Sequence, residues 1–120
     1  MITDINEFAY AVHENAIEKG FHPTDESEDQ FIANQCNNMH AEITELWDAF
    51  RSGMLRHHCD KAAKMRELGL TPIDCAQEEL ADIIIRALDV SERFGINIVE
   101  ALNIKHEYNK TRPYKHGKKN

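Results

Sequence analysis

Glu42 and Glu45 in HAEITELWDAF, and Glu79 and Asp82 in EELADIIIRALD, form two pairs of acids whose members stand three residues apart. On a helix that spacing puts both carboxylates of a pair on one face, and the residues around them are largely apolar. Four negative charges converging in a water-poor groove repel one another. A hard divalent cation with oxygen ligands makes such a cluster stable, and Mg2+ is the expected ion. Further along, Lys105, Asn109 and Arg112 are separated by four and three residues, so one side of a helix presents two cations and an amide suited to phosphate. Metal held by carboxylates beside phosphate-binding cations is the arrangement needed for attack on a polyphosphate. The ion polarises phosphoryl oxygens, lowers the pKa of a bound water and offsets charge on the leaving group.

The rest of the chain must position these groups. Its 120 residues, 42% hydrophobic and 29% charged, fit a single domain spanning 1–120 with a modest core. The net charge of -7 disfavours a general affinity for nucleic acid polymers, but that charge is unevenly placed. Residues 105–120 carry Lys105, Lys110, Arg112, Lys115, Lys118 and Lys119 against Glu107, a net of +5, which leaves -12 on residues 1–104. The basic 111–120 tail is therefore a candidate anion site. Cys36, Cys59 and Cys75 are odd in number, widely spaced and without a CxxC, as expected of reduced thiols in a cytoplasmic protein. No apolar run approaches a membrane span, and MITDINEFAY lacks the basic and apolar regions of a signal peptide.

Apolar spacing is helical almost throughout, and the punctuation is that of helix ends. Ile5, Phe8, Ala9, Val12, Ala16 and Ile17 predict a helix over about 4–19, opened by Asp4 and closed by Gly20. Ser27 and Gln30 at capping-box spacing open a second helix that ends near Ser52 and Gly53, with Met39, Trp47 and Phe50 at core spacing. Thr71 before Pro72 predicts the start of a third helix over about 72–94. Asn97, with Glu100 three residues on, caps a fourth that runs toward Pro113. The fold class expected is all-α, a bundle of four to five helices without strands. Ile83, Ile84 and Ile85 in succession call for burial on more than one side of the third helix, by its own chain or by a second subunit. A homodimer or a homotetramer is the expected state.

Residues 53–71 read either as a short connecting helix closed by Gly69 or as a basic, lid-like insertion carrying Arg56, Lys61, Lys64 and Arg66. His57, His58, Cys59 and Cys75 make a poor zinc site, because adjacent ligands on a helix diverge and no paired spacing occurs. A ferritin-like di-iron bundle would need Glu-x-x-His, and no histidine stands three residues after a glutamate. A rival of another class is a helical interaction or regulatory module whose acids bind metal without catalysis.

Taken together, ExxE, then ExxD, then Lys-x3-Asn-x2-Arg leading into RPYKHGKK, resemble the all-α nucleoside triphosphate pyrophosphohydrolases, the MazG-like group related to dimeric dUTPases. The resemblance covers about residues 4–118. It implies an oligomeric helical enzyme that uses Mg2+, with Mn2+ able to substitute, to convert a (d)NTP to the monophosphate and pyrophosphate in nucleotide-pool control or house-cleaning. Compact members also occur in bacteriophages, which would put the protein in a host cytoplasm. By the same resemblance Glu42, Glu45, Glu79 and Asp82 are metal ligands, with Glu45 also orienting or deprotonating water, and Lys105, Asn109 and Arg112 hold phosphates. Asn38, one turn before Glu42, is the candidate for reading a base edge, with His13, Phe21 and His22 as candidates for the opposite wall. One departure from the family pattern is length: 33 residues, 46 to 78, separate Glu45 from Glu79.

Overall fold

A computed structural model describes residues 4–119; Met1 to Thr3 and Asn120, hence the outermost ends of the expected domain and tail, lie outside the described residues. The chain is all-helical, with α1 (Ile5–Glu18), α2 (Glu28–Arg51), α3 (Ala62–Glu67), α4 (Cys75–Arg93), α5 (Ile98–Thr111) and a 3-10 turn at Tyr114–Gly117. Among the described residues the only β pairing is one isolated bridge, His58 to Asp74. No helix is long and apolar enough to cross a membrane.

Local chemistry sets the ends. Asp4 accepts from the N–H groups of Asn6 and Glu7 at the start of α1, and Ser27 with Gln30 closes a reciprocal capping box on α2. After α1, Gly20 takes φ +83°, a left-handed conformation that lets Phe21 N–H reach back to the Ala16 carbonyl at 2.9 Å and turns the chain toward α2. The third long helix begins later than Thr71 and Pro72 suggested. Its cap is Asp74, whose side chain accepts from Gln77 N–H at 2.8 Å while the Gln77 side chain returns to Asp74 N–H at 2.9 Å. Residues 72–74 are held extended instead, because Cys59 N–H donates to the Ile73 carbonyl and Cys75 N–H to the His57 carbonyl.

Those bonds also dock the 53–71 segment. It contains the short α3, and its cations are engaged: Arg56 with Asp74 at 2.7 Å, Lys61 with Glu78 at 2.9 Å, Lys64 with Glu67 at 3.2 Å and Arg66 with His58 at 3.2 Å. It sits against the start of α4.

The central helix is α4, which packs against both α1 and α2, while α5 packs against α1. Phe31, 1% exposed, is the largest wholly buried side chain, and its ring meets those of His13, His22 and Phe94. Trp47 and Phe50, expected in the core, are 56% and 59% exposed and stack on each other at 5.7 Å, on a face of α2 that the described residues leave open. Leu80 and Ile84 on α4 and Leu102, Ile104 and Tyr108 on α5 are exposed as well. The accessible surface is 9079 Å², whereas a compact chain of 13.8 kDa exposes about 6,600 Å². The radius of gyration, 16.9 Å against about 13.6 Å for a compact fold of this length, agrees.

One amide ties the start of α5 to α1. Asn6 Oδ1 accepts from the N–H groups of Ile98 and Val99 at 3.1 and 3.3 Å, and Asn6 Nδ2 donates to Asn97 Oδ1 at 2.8 Å. Asn6→Ala leaves the first turn of α5 without that acceptor and should lower stability by about 1 kcal/mol, a fall in Tm of about 4 °C. Asn6→Asp keeps an acceptor at a helix N-terminus and should retain most of the stability. Thermal unfolding followed by circular dichroism reads both.

Candidate metal centre

The packing of α2 on α4 brings the two acid pairs face to face. Glu42 and Glu79 are each only 8% exposed, and one carboxylate oxygen from each of Glu42, Glu45 and Glu79 lies within 4.8 Å of the other two. Glu45 is the solvent-facing member. Asp82, half-buried one turn further along α4, stands outside this trio and lines an adjoining cavity. Among the described residues Arg86 is the one cation paired with the group: its Nε and Nη2 donate to Glu42 Oε1 at 3.3 and 3.2 Å.

One guanidinium does not neutralise this many acids, and the carboxyls respond unequally. Burial pushes the Glu79 carboxyl up to about 8, and the neighbouring Glu42 and Glu45 push in the same direction. Burial raises Glu42 too, but contacts with Glu79, Glu45 and Arg86 outweigh it and hold Glu42 below the usual carboxylate range. Asp82 is raised by burial and by the charges of Glu42 and Glu78. Near neutral pH, Glu42 is thus the anion and Glu79 keeps its proton. Glu79 Oε2 is buried and has no hydrogen-bond partner. An orphaned oxygen among three converging carboxyls fits a hard divalent cation, whose charge would offset both the burial and the repulsion.

The cavity, about 560 Å³, runs between α1, α2 and α4 beside Asp82 and Arg86. Amides dominate its polar lining: Asn15, Asn34, Gln35, Asn37 and Asn38. Gln35 Oε1 is buried without a partner. Apolar walls come from Phe8, Val12, Phe21 and Ile85. Asn38 and Phe21 therefore lie where the sequence suggested. His13 and His22 do not line the cavity; both rings turn to Asp89, itself a lining residue.

Lys105 and Asn109 stand one turn apart on α5, but Arg112 is the extended residue that caps its end rather than part of the helix as expected, and among the described residues no hydrogen bond or ion pair joins the three to the four acids. Instead the Lys105 ammonium and the Arg112 guanidinium flank the Tyr108 ring at 5.0 and 5.6 Å. Asn109 Oδ1 is buried and unpartnered. Sequence reasoning missed Arg86 and Asp89, although Glu79, Asp82, Arg86 and Asp89 follow helical spacing along one stripe. No protein-family model, curated protein or solved structure matches the chain.

A pH dependence follows for the metal-free protein. Folded Glu79 holds its proton up to about 8, against an ordinary value of 4.5, so between those limits the folded state binds more protons than the unfolded one and stability falls as pH rises. Asp82, also raised, acts in the same sense. Glu42, being lowered, contributes stability that is lost only below its ordinary value of 4.5, outside that window. Tm should therefore decline from about pH 5 to about pH 8 without metal, Glu79→Gln should remove most of the decline, and Mg2+ should reverse it. A slope unchanged in Glu79→Gln would contradict the assignment.

Proposed function

We propose that the chain is a Mg2+-dependent nucleoside triphosphate pyrophosphohydrolase of the MazG-like type, converting a (d)NTP and water to (d)NMP and pyrophosphate. The observation that carries this reading is the convergence of Glu42, Glu45 and Glu79 from two helices beside a cavity lined by amides. Carboxylates of Glu42, Glu45, Glu79 and Asp82 hold the ion, and Mn2+ can take its place. The ion supplies Lewis-acid chemistry: it polarises phosphoryl oxygens and acidifies water.

The remaining work falls to the side chains. Glu45, exposed to solvent, orients the water that attacks the α-phosphorus and accepts its proton. Hydrogen bonding with Glu79 and Glu45, and then Arg86, keeps Glu42 ionised, so that ligand is ready at neutral pH. Asn38 and the neighbouring amides offer both donors and acceptors to the edge of a base, and Phe21 offers it an apolar surface. Lys105, Asn109 and Arg112 bind phosphate oxygens.

The same reading includes a homodimer or homotetramer. Surface in excess of a compact chain's by about 2,500 Å², together with exposed Trp47, Phe50, Leu80, Ile84 and Ile104, supports it. A second subunit would also cover the α4 face that holds Ile84, and would bring a further α5 to the acids. The competing reading, a metal-binding interaction module without catalysis, draws on the separation of the α5 cations from the acids within one chain.

Turnover separates the two. With Mg2+ and a panel of (d)NTPs, the expected products are monophosphate and pyrophosphate; orthophosphate with a diphosphate, or no turnover across the panel, would contradict the enzyme. Light scattering should give at least a dimer at micromolar concentration, and a stable monomer would contradict the assembly. Glu42→Gln and Asp82→Asn should reduce kcat at least about 100-fold and weaken Mn2+ binding while the helical signal stays. Lys105→Ala and Arg112→Ala should lower kcat/KM and leave Mn2+ binding to the free protein near normal.

A further inference from the structure

A second convergence of ligating side chains lies away from the four acids. His13 on α1, His22 in the α1 to α2 connector and Asp89 on α4 meet around one point: His13 Nδ1 is 2.6 Å from Asp89 Oδ1 and His22 Nε2 is 2.7 Å from Asp89 Oδ2. One donor atom from each lies within 4.8 Å of the others. All three side chains are largely buried, at 13%, 7% and 7% exposure.

We propose that His13, His22 and Asp89 bind one late first-row divalent cation, with Zn2+ the natural occupant, and that Glu26 supports the site from behind His22. Two imidazole nitrogens and one carboxylate oxygen form a borderline-soft donor set that suits Zn2+ rather than the all-oxygen preference of Mg2+. Behind the ring, Glu26 Oε1 lies 3.3 Å from His22 Nδ1, the carboxylate and imidazole relation found where a histidine's other nitrogen holds metal. That Nδ1 is buried and lacks an aligned hydrogen-bond partner, while Nε2 is held by Asp89.

Charge points the same way. Asp89 and Glu26 bring two buried carboxylates, and among the described residues neither is paired with a lysine or arginine. One divalent ion balances both. Since its ligands come from α1, the connector and α4, the ion staples these three parts around Phe31 and adds its binding free energy to the fold. Nothing in this site depends on the chemistry of Glu42, Glu45, Glu79 and Asp82.

The test uses the full-length protein stripped by a chelator. Titration with Zn2+ by calorimetry, and with Co2+ as a visible probe, should show one equivalent that raises Tm, with Co2+ bands that Zn2+ displaces. Glu79→Gln should retain this equivalent. His22→Gln and Asp89→Asn should weaken it at least about 100-fold, and Glu26→Gln by about 10- to 100-fold. Absence of Zn2+ binding to the folded wild-type protein would overturn the proposal and leave a hydrogen-bonded cluster of two histidines and an aspartate. Loss of the equivalent in Glu79→Gln, or thiolate charge-transfer absorption from bound Co2+, would overturn it equally, by assigning the ion to the acid cluster or to cysteine.

Discussion

Repulsion between Glu42 and Glu79 is the constraint around which the structure is built. Each carboxyl is buried where α2 crosses α4, the contact that joins the two longest helices. A buried carboxylate without compensation is costly, and the single paired cation, Arg86, serves Glu42 alone. In the absence of metal the pair resolves the conflict by keeping the proton on Glu79. A helix interface that tolerates this arrangement forgoes apolar packing at its centre. The cation proposed for this site would release that proton and offset the loss.

Around that crossing, the fold is economical in core and generous in apolar surface. Phe31, Ala9 and Leu88 are buried among the long helices and Cys59 and Ala62 within the 53–71 segment, while the outer faces of α2, α4 and α5 keep large hydrophobic side chains in water. The 9079 Å² exposed exceeds what a compact chain of this mass shows, and that excess is the surface the proposed assembly would cover. The same geometry leaves Lys105 exposed on α5 and Arg112 at its C-terminal end, with no hydrogen bond or ion pair to the four acids among the described residues.

Much of this was legible in the sequence where the signal was local. Ser27 with Gln30, Asp4, and Asn97 with Glu100 fixed three helix starts because a cap acts within four residues. The three-residue spacing of each acid pair sufficed to place Glu42, Glu45 and Glu79 together once α2 met α4. Nonlocal contacts were harder to read. Thr71 and Pro72 gave a valid start signal, but backbone bonds from Cys59 and to His57 kept that stretch extended and passed the cap to Asp74. Trp47 and Phe50 had core spacing, yet spacing reports which face is apolar and not whether the same chain covers it. His13, His22 and Asp89 stand far apart in sequence and belong to no motif, so only the fold brings them into contact.

The central claim is that the carboxylates of α2 and α4 hold a divalent cation. Anomalous scattering from crystals grown with Mn2+ tests it most directly. A peak with oxygens of Glu42, Glu45 and Glu79 at about 2.2 Å, and with Asp82 turned toward the same ion, is the result predicted. A map with Mn2+ bound elsewhere, and with the Glu42 and Glu79 carboxyls still facing each other across an empty contact, would contradict it.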